Sequence, residues 1–152
     1  MSATELRNGI VLVVEDNADD VEFFRIAMRK ANLEGSCHFV FDGEEAIAYM
    51  KGAPPFTDRI AYPFPSIVVL DLSLPKINGF GVLEWMAATP GCEQIKVLIW
   101  SAWTYEEEMR RAKKAGVSSF VMKDESGQGM AELIALISAH TNPPAGTPVV
   151  EG

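Results

Sequence analysis

"VLVVEDNADD", residues 11–20, sets a run of four apolar residues against four carboxylates, Glu15, Asp16, Asp19 and Asp20. The run is apolar at every position rather than at alternate ones, so a strand formed there is covered on both faces. Carboxylates packed this closely raise one another's pKa and repel unless water surrounds them or something positive sits among them. A helix cap or a cation is therefore implied where this strand ends.

The same pattern recurs along the chain. Strands are expected over 10–14, 37–41, 67–70, 96–100 and 119–122, and helices over 19–31, 44–51, 79–88, 105–115 and 130–140. Val21, Phe24, Met28 and Ala31 give the first helix an apolar stripe, and Met130, Leu133, Ile134 and Ile137 do the same for the last. Gly116 offers the left-handed cap that ends the fourth helix. Continuously apolar strands alternating with helices define an α/β fold, a (βα)5 doubly wound five-stranded parallel sheet over residues 10–140. Its ligand site is expected at the C-terminal ends of the strands.

Three segments fall outside the alternation. Residues 1–9 read as an N-terminal extension, and 141–152, "TNPPAGTPVVEG", as a flexible tail whose prolines and small residues sustain neither helix nor core. "KGAPPFTDRIAYPFP", residues 51–65, carries four prolines and reads as a long loop packed over its own domain.

Composition bounds the partners. A chain of 152 residues, 48% hydrophobic, suits one domain with one sizeable core. With 13 Lys+Arg against 21 Asp+Glu, the net charge of -8 repels nucleic acid and anionic membrane surfaces. The basic run "MRRAKK", 109–114, follows Glu106, Glu107 and Glu108, the order that a helix dipole favours. No secretory signal pattern and no apolar run near the ~20 residues of a membrane span is visible, so a cytoplasmic, soluble protein is expected. Cys37 and Cys92 stand apart without a motif and read as packing residues in a reducing compartment.

Inspection of the strand ends brings out the chemistry. The first strand ends in Glu15 and Asp16; the third, in "SIVVLDLSLPKINGFG" (66–81), delivers Asp71. The fourth, "KVLIWSAW" (96–103), delivers Ser101, and the fifth, "SSFVMKD" (118–124), delivers Lys123. Each has a plain structural role open to it: Asp16 and Ser101 as helix caps, Asp71 as a turn residue, Lys123 as a solvated strand end. Their convergence on one edge instead suits acceptance of a phosphoryl group. A few hard carboxylate ligands suit Mg²⁺, and a carboxylate oxygen of Asp71 is then free to attack phosphorus. Mg²⁺, Lys123 and Ser101 can stabilise the charge that spreads over the transferred group. Asp19 and Asp20 are read as first-turn acids that complement the helix dipole.

"VLVVEDN", "VVLDLSLPKINGFGVL", "LIWSAW" and "FVMKD", in that order, resemble the receiver domain of two-component response regulators. The resemblance covers about residues 10–140 and implies a flavodoxin-like sheet with strand order 2-1-3-4-5. By it, Asp71 is the phosphoacceptor, Asp16 a direct Mg²⁺ ligand, Glu15 a metal neighbour acting through water, and the Ser73 backbone carbonyl a third ligand. Ser101 is the switch hydroxyl, Lys123 the invariant lysine and Phe120 the switch aromatic. The resemblance implies a sensor histidine kinase or histidine phosphotransfer protein as partner, with a homodimer as one route for the signal and no enzymatic activity beyond the domain's own phosphorylation and dephosphorylation.

Three features depart from the family pattern near the site. Lys123 is followed by Asp124 where receivers usually place proline after a cis bond, and a cis bond before a non-proline residue costs about 2.5 to 4 kcal/mol, so the loop is strained or differently shaped. Ser73 stands where asparagine is common, and Trp103, two past Ser101, is bulky; both flank the route of a hydrolytic water. The long loop at 51–65 and the lack of an output domain in this sequence resemble stand-alone receivers that partner phytochrome-type kinases. A flavin-binding relative of the fold needs a phosphate-cradling loop after the first strand, which residues 15–20 would repel. A haloacid dehalogenase-type phosphatase needs a second aspartate where Ser73 stands. A phosphorylation-independent binding module is the remaining alternative.

Overall fold

The computed structural model describes residues 9–102 and 105–141, so the expectations for 1–8, Trp103 and 142–152 lie outside the described residues. Five strands, β1 (Val11–Val14), β2 (Cys37–Val40), β3 (Ile67–Leu70), β4 (Lys96–Ser101) and β5 (Ser119–Met122), form one parallel sheet in the order β2-β1-β3-β4-β5. The helices between and after them are α1 (Ala18–Lys30), α2 (Gly43–Lys51), α3 (Gly79–Ala87), α4 (Glu106–Lys114) and α5 (Gln128–Thr141). This is the expected fold and strand order. Strand bounds match expectation within a residue; β1 and β3 are buried throughout, and the edge strands β2 and β5 only in part.

Helix starts also match within a residue, except that α5 begins two residues early, at Gln128, and side-chain caps fix three of them. Asn17, Asp42 and Asn78 accept the backbone N–H of Asp20, Glu45 and Gly81 at 3.0, 2.7 and 3.0 Å, holding N-terminal donors that the helices cannot satisfy themselves. The cap of α1 is thus Asn17 rather than Asp16. Asn32 takes a left-handed φ of 60° just past the end of α1, and Gly116 does so at 90° past α4, as its sequence predicts.

Two apolar layers cover the sheet. Leu12, Val14, Val68, Leu70 and Ile99 pack with Tyr49 of α2, Val82 and Leu83 of α3, and Ala112 of α4. Val11, Val13, Val69, Leu98 and Val121 pack with Phe24 and Met28 of α1 and Leu133 and Ile137 of α5 on the other face. Burying each large apolar side chain contributes roughly 1.5 to 3 kcal/mol. Loop 51–65 lies against its own domain: Phe56 is buried, with its ring 5.1 Å from Tyr49 and 5.2 Å from Tyr62. The Tyr49 hydroxyl donates to the Pro63 carbonyl at 2.9 Å, and Arg59 donates to the Met50 carbonyl at 2.7 Å. Cys37 and Cys92 are free thiols, and burial pushes both up from their ordinary pKa.

Candidate functional site

Strand register sets the site. Val14 pairs with Leu70, so the next residues, Glu15 and Asp71, emerge side by side; Ser101 pairs with Met122, so Lys123 emerges beside them. Side chains alternate along a strand, and Val13, Val69 and Val121 all face the α1–α5 layer. Two residues on, Glu15, Asp71 and Lys123 therefore share that side. Ser101 follows Val97 and Ile99, which face the opposite layer, and reaches Asp71 from there.

Asp71 is buried, and both its oxygens are held. Its Oδ1 accepts the Ser101 hydroxyl and the Ser73 backbone N–H, each at 2.9 Å, and its Oδ2 accepts the Lys123 ammonium at 2.9 Å. The same ammonium touches Glu15 Oε1 and lies 2.9 Å from Asp20 Oδ2. It also stands 5.0 Å from the Trp100 ring centre, a cation–π distance. Glu15 Oε2 accepts the Asn17 N–H at 3.0 Å, while Oε1 meets the ammonium without a hydrogen bond of good geometry. After Asp71 a loop over 72–78 leads into α3, whose first residue returns against Asp71. A side chain at Gly79 would place its Cβ 2.6 Å from the Asp71 carbonyl oxygen, so only glycine allows this close approach.

Electrostatics follow from burial. Desolvation drives the Glu15 carboxyl up to about 7, against the Lys123 contact that lowers it and with the nearby Asp71 charge that raises it further. Burial pulls the Lys123 ammonium down, but its bonds to Glu15, Asp20 and Asp71 outweigh this and leave it above its ordinary value. The ammonium is thus firmly charged.

The structure brings together Glu15, Asp16, Asp71, Ser101 and Lys123, the residues expected to converge. Ser73 contributes its N–H to Asp71, with its side chain exposed. Phe120 is half-buried against the α4 side of the core, in register with Ile99. One expectation is corrected. Asp20 is more than a first-turn acid: its carboxylate pairs with Lys123, which the dipole reading missed because the partner lies on the last strand. Asp124 is engaged within its own loop: its Oδ2 accepts the Ser126 hydroxyl at 2.9 Å and its Oδ1 the Gly129 N–H at 3.2 Å. The cis peptide bond among the described residues is Pro54–Pro55, so the Lys123–Asp124 loop is differently shaped, with a trans link.

Ligand oxygens of Glu15, Asp16 and Asp71 lie within 4.8 Å of one another. Among the described residues Lys123 is the cation that meets Glu15 and Asp71, and Asp16 has none. Three hard oxygen donors with one under-compensated buried carboxylate fit a small divalent cation.

The fold and this pocket define a class, doubly wound α/β domains that gather acids and one lysine at the strand ends. Residues 11–137 match the response regulator receiver domain family, and the chain belongs to it. The response regulator Rcp1 of Synechocystis sp. is 21% identical over 125 residues, 82% of this chain and 83% of that protein. Its Mn²⁺-bound structure superposes with a TM-score of 0.74 at 20% identity, covering 93% of this chain and 99% of that one. The phosphorylated cyanobacterial phytochrome response regulator RcpA gives a TM-score of 0.77 at 23% identity, covering 88% and 93%. The bacteriophytochrome response regulator AtBRR gives 0.70 at 28% identity, covering 86% and 92%. Membership of the receiver family removes the flavin-binding and dehalogenase-type alternatives.

Proposed function

We propose that this receiver takes a phosphoryl group onto Asp71 from a sensor histidine kinase or histidine phosphotransfer protein, with Mg²⁺ as the cation held by Asp16, Asp71, the Ser73 carbonyl and, through water, Glu15. The observation that carries this reading is Asp71 itself, buried, with a hydroxyl, a backbone N–H and an ammonium all within 2.9 Å of its oxygens. Bound Mg²⁺ supplies charge neutralisation for the incoming phosphoryl oxygens. An Asp71 oxygen attacks phosphorus, the P–N bond to the donor imidazole breaks, and the imidazole leaves with the electron pair. Lys123 and Ser101 lie where they can meet the charge on the equatorial oxygens. The domain is a phosphoacceptor rather than an enzyme on an external substrate.

The signal then leaves by contact of the surface around α4, β5 and α5, to a partner protein or within a homodimer in the cytoplasm. The Ser101 hydroxyl already donates to Asp71 at 2.9 Å; phosphorylation passes that bond to a phosphoryl oxygen, and Phe120, half-buried beside β4, repacks in response. A phytochrome-type kinase is the favoured donor, supported by the likeness to AtBRR. Among the described residues no helix is long and apolar enough to cross a membrane.

The test is intact mass after incubation with Mg²⁺ and acetyl phosphate, with Asp71→Asn beside the wild type. A gain of one phosphoryl group that needs Mg²⁺ and vanishes in the variant is expected. No gain, and no binding of beryllofluoride, would leave a phosphorylation-independent binding module.

A further inference from the structure

Lys123 faces three carboxylates, hydrogen-bonding Asp71 and ion-pairing with Glu15 and Asp20, so one ammonium is shared among three anions in the unphosphorylated protein. A phosphoryl group on Asp71 brings new anionic oxygens that need the same ammonium, and one present partner has to yield. Glu15 is a poor candidate: it is fully buried, and its Oε1 has the Lys123 ion pair and no hydrogen bond. Releasing it would orphan a buried carboxylate oxygen. Asp20 differs. Its side chain is 27% exposed, and it borders a groove of about 700 Å³ between α1 and α5 with Phe23, Trp100 and Met130. Its backbone N–H is held by Asn17, so the carboxylate can swing into water while α1 stays capped.

We propose that Asp20 is a positioning residue, a releasable latch that holds the Lys123 ammonium until the phosphoryl group on Asp71 takes it over. The inference rests on the phosphoacceptor reading above. Asp20 also keeps a negative charge within one ammonium's width of the place where anionic phosphoryl oxygens arrive. Its removal both frees a donor and lowers the repulsion.

Asp20→Asn keeps the shape and removes the charge. In the step read out, an Asp71 oxygen bonds to the phosphorus of acetyl phosphate, the bond from phosphorus to the acetate oxygen breaks, and acetate leaves with the pair. The variant should phosphorylate about fivefold faster than wild type and bind beryllofluoride more tightly by a similar factor, followed by tryptophan fluorescence. Asp20→Glu, which restores a carboxylate on a longer arm, should return both quantities toward wild type. A merely structural Asp20 would move the unfolding midpoint without this gain and its reversal. Equal or slower phosphorylation in Asp20→Asn, with wild type active and Asp71→Asn inert, overturns the latch alone. A wild type that takes up neither phosphoryl nor beryllofluoride overturns the phosphoacceptor reading and the latch with it.

Discussion

Glu15 shows at a single position how the site trades stability for function. Its carboxyl is raised from 4.5 to about 7 because desolvation outweighs the help of Lys123. A carboxyl with a raised folded pKa binds more protons folded than unfolded, so its ionisation weakens the fold as pH climbs from 4.5 to 7. Above that window the full cost of the buried anion is present, and below it none is. Glu15→Gln, similar in shape and uncharged, should therefore unfold at a higher temperature than wild type in EDTA at pH 8, with the advantage shrinking toward pH 4. Mg²⁺ should raise the wild-type midpoint at pH 8 and leave the variant less affected. A variant no more stable than wild type in EDTA at pH 8 would show that the Lys123 ammonium compensates the charge completely. Glu15, Asp71, Ser101 and Lys123 were legible in the sequence because each directly follows or ends a buried strand, and register does the rest. Asp20 was not, because a first-turn acid looks the same whether it faces water or a lysine.

Elements were legible where burial is symmetrical and obscure where one tertiary contact sets a boundary. The segment after β5 is the clearest case, with α5 beginning at Gln128 although "SGQG" reads as a turn. Gly129 lies inside the helix because its backbone sits on β5; a Cβ there would come 2.3 Å from the Met122 carbonyl oxygen. Asp124 completes the junction by accepting the Gly129 N–H and the Ser126 hydroxyl, whose oxygen accepts the Gln128 N–H at 3.3 Å. The residue that replaces the family's proline thus acts as a cap for α5. Asp124→Ala should cost about 1 kcal/mol in urea unfolding and speed amide exchange at Gly129, while acetyl phosphate still labels Asp71. Asp124→Pro, closer to the family pattern, should be no better, since proline offers neither acceptor. Unchanged exchange at Gly129 in Asp124→Ala would mean that the glycine packing alone fixes the helix start.

Across the whole molecule the helices are anchored unequally, and this decides where a change at Asp71 can travel. Each of α1, α2 and α3 buries at least three side chains, whereas α4 buries Ala112 alone, with Arg111 stacked 4.3 Å over Phe80 and paired with Glu84 on α3 at 3.0 Å. Exposed ion pairs of that kind contribute roughly 0 to 1 kcal/mol, so α4 is held weakly. It follows Ser101, which grips Asp71, in the chain and shares its apolar layer with Phe120. A shift of the Ser101 contact therefore meets little resistance on this side and dense packing on the other. Hydrogen exchange with and without beryllofluoride should change most in α4 and β5 and least in α2 and α3. Ser101→Ala, which keeps the strand and removes the hydroxyl that grips Asp71, should bind beryllofluoride with a much smaller exchange change in α4. A response spread evenly over the helices, or one centred on α2 and α3, would place the output surface elsewhere on the sheet.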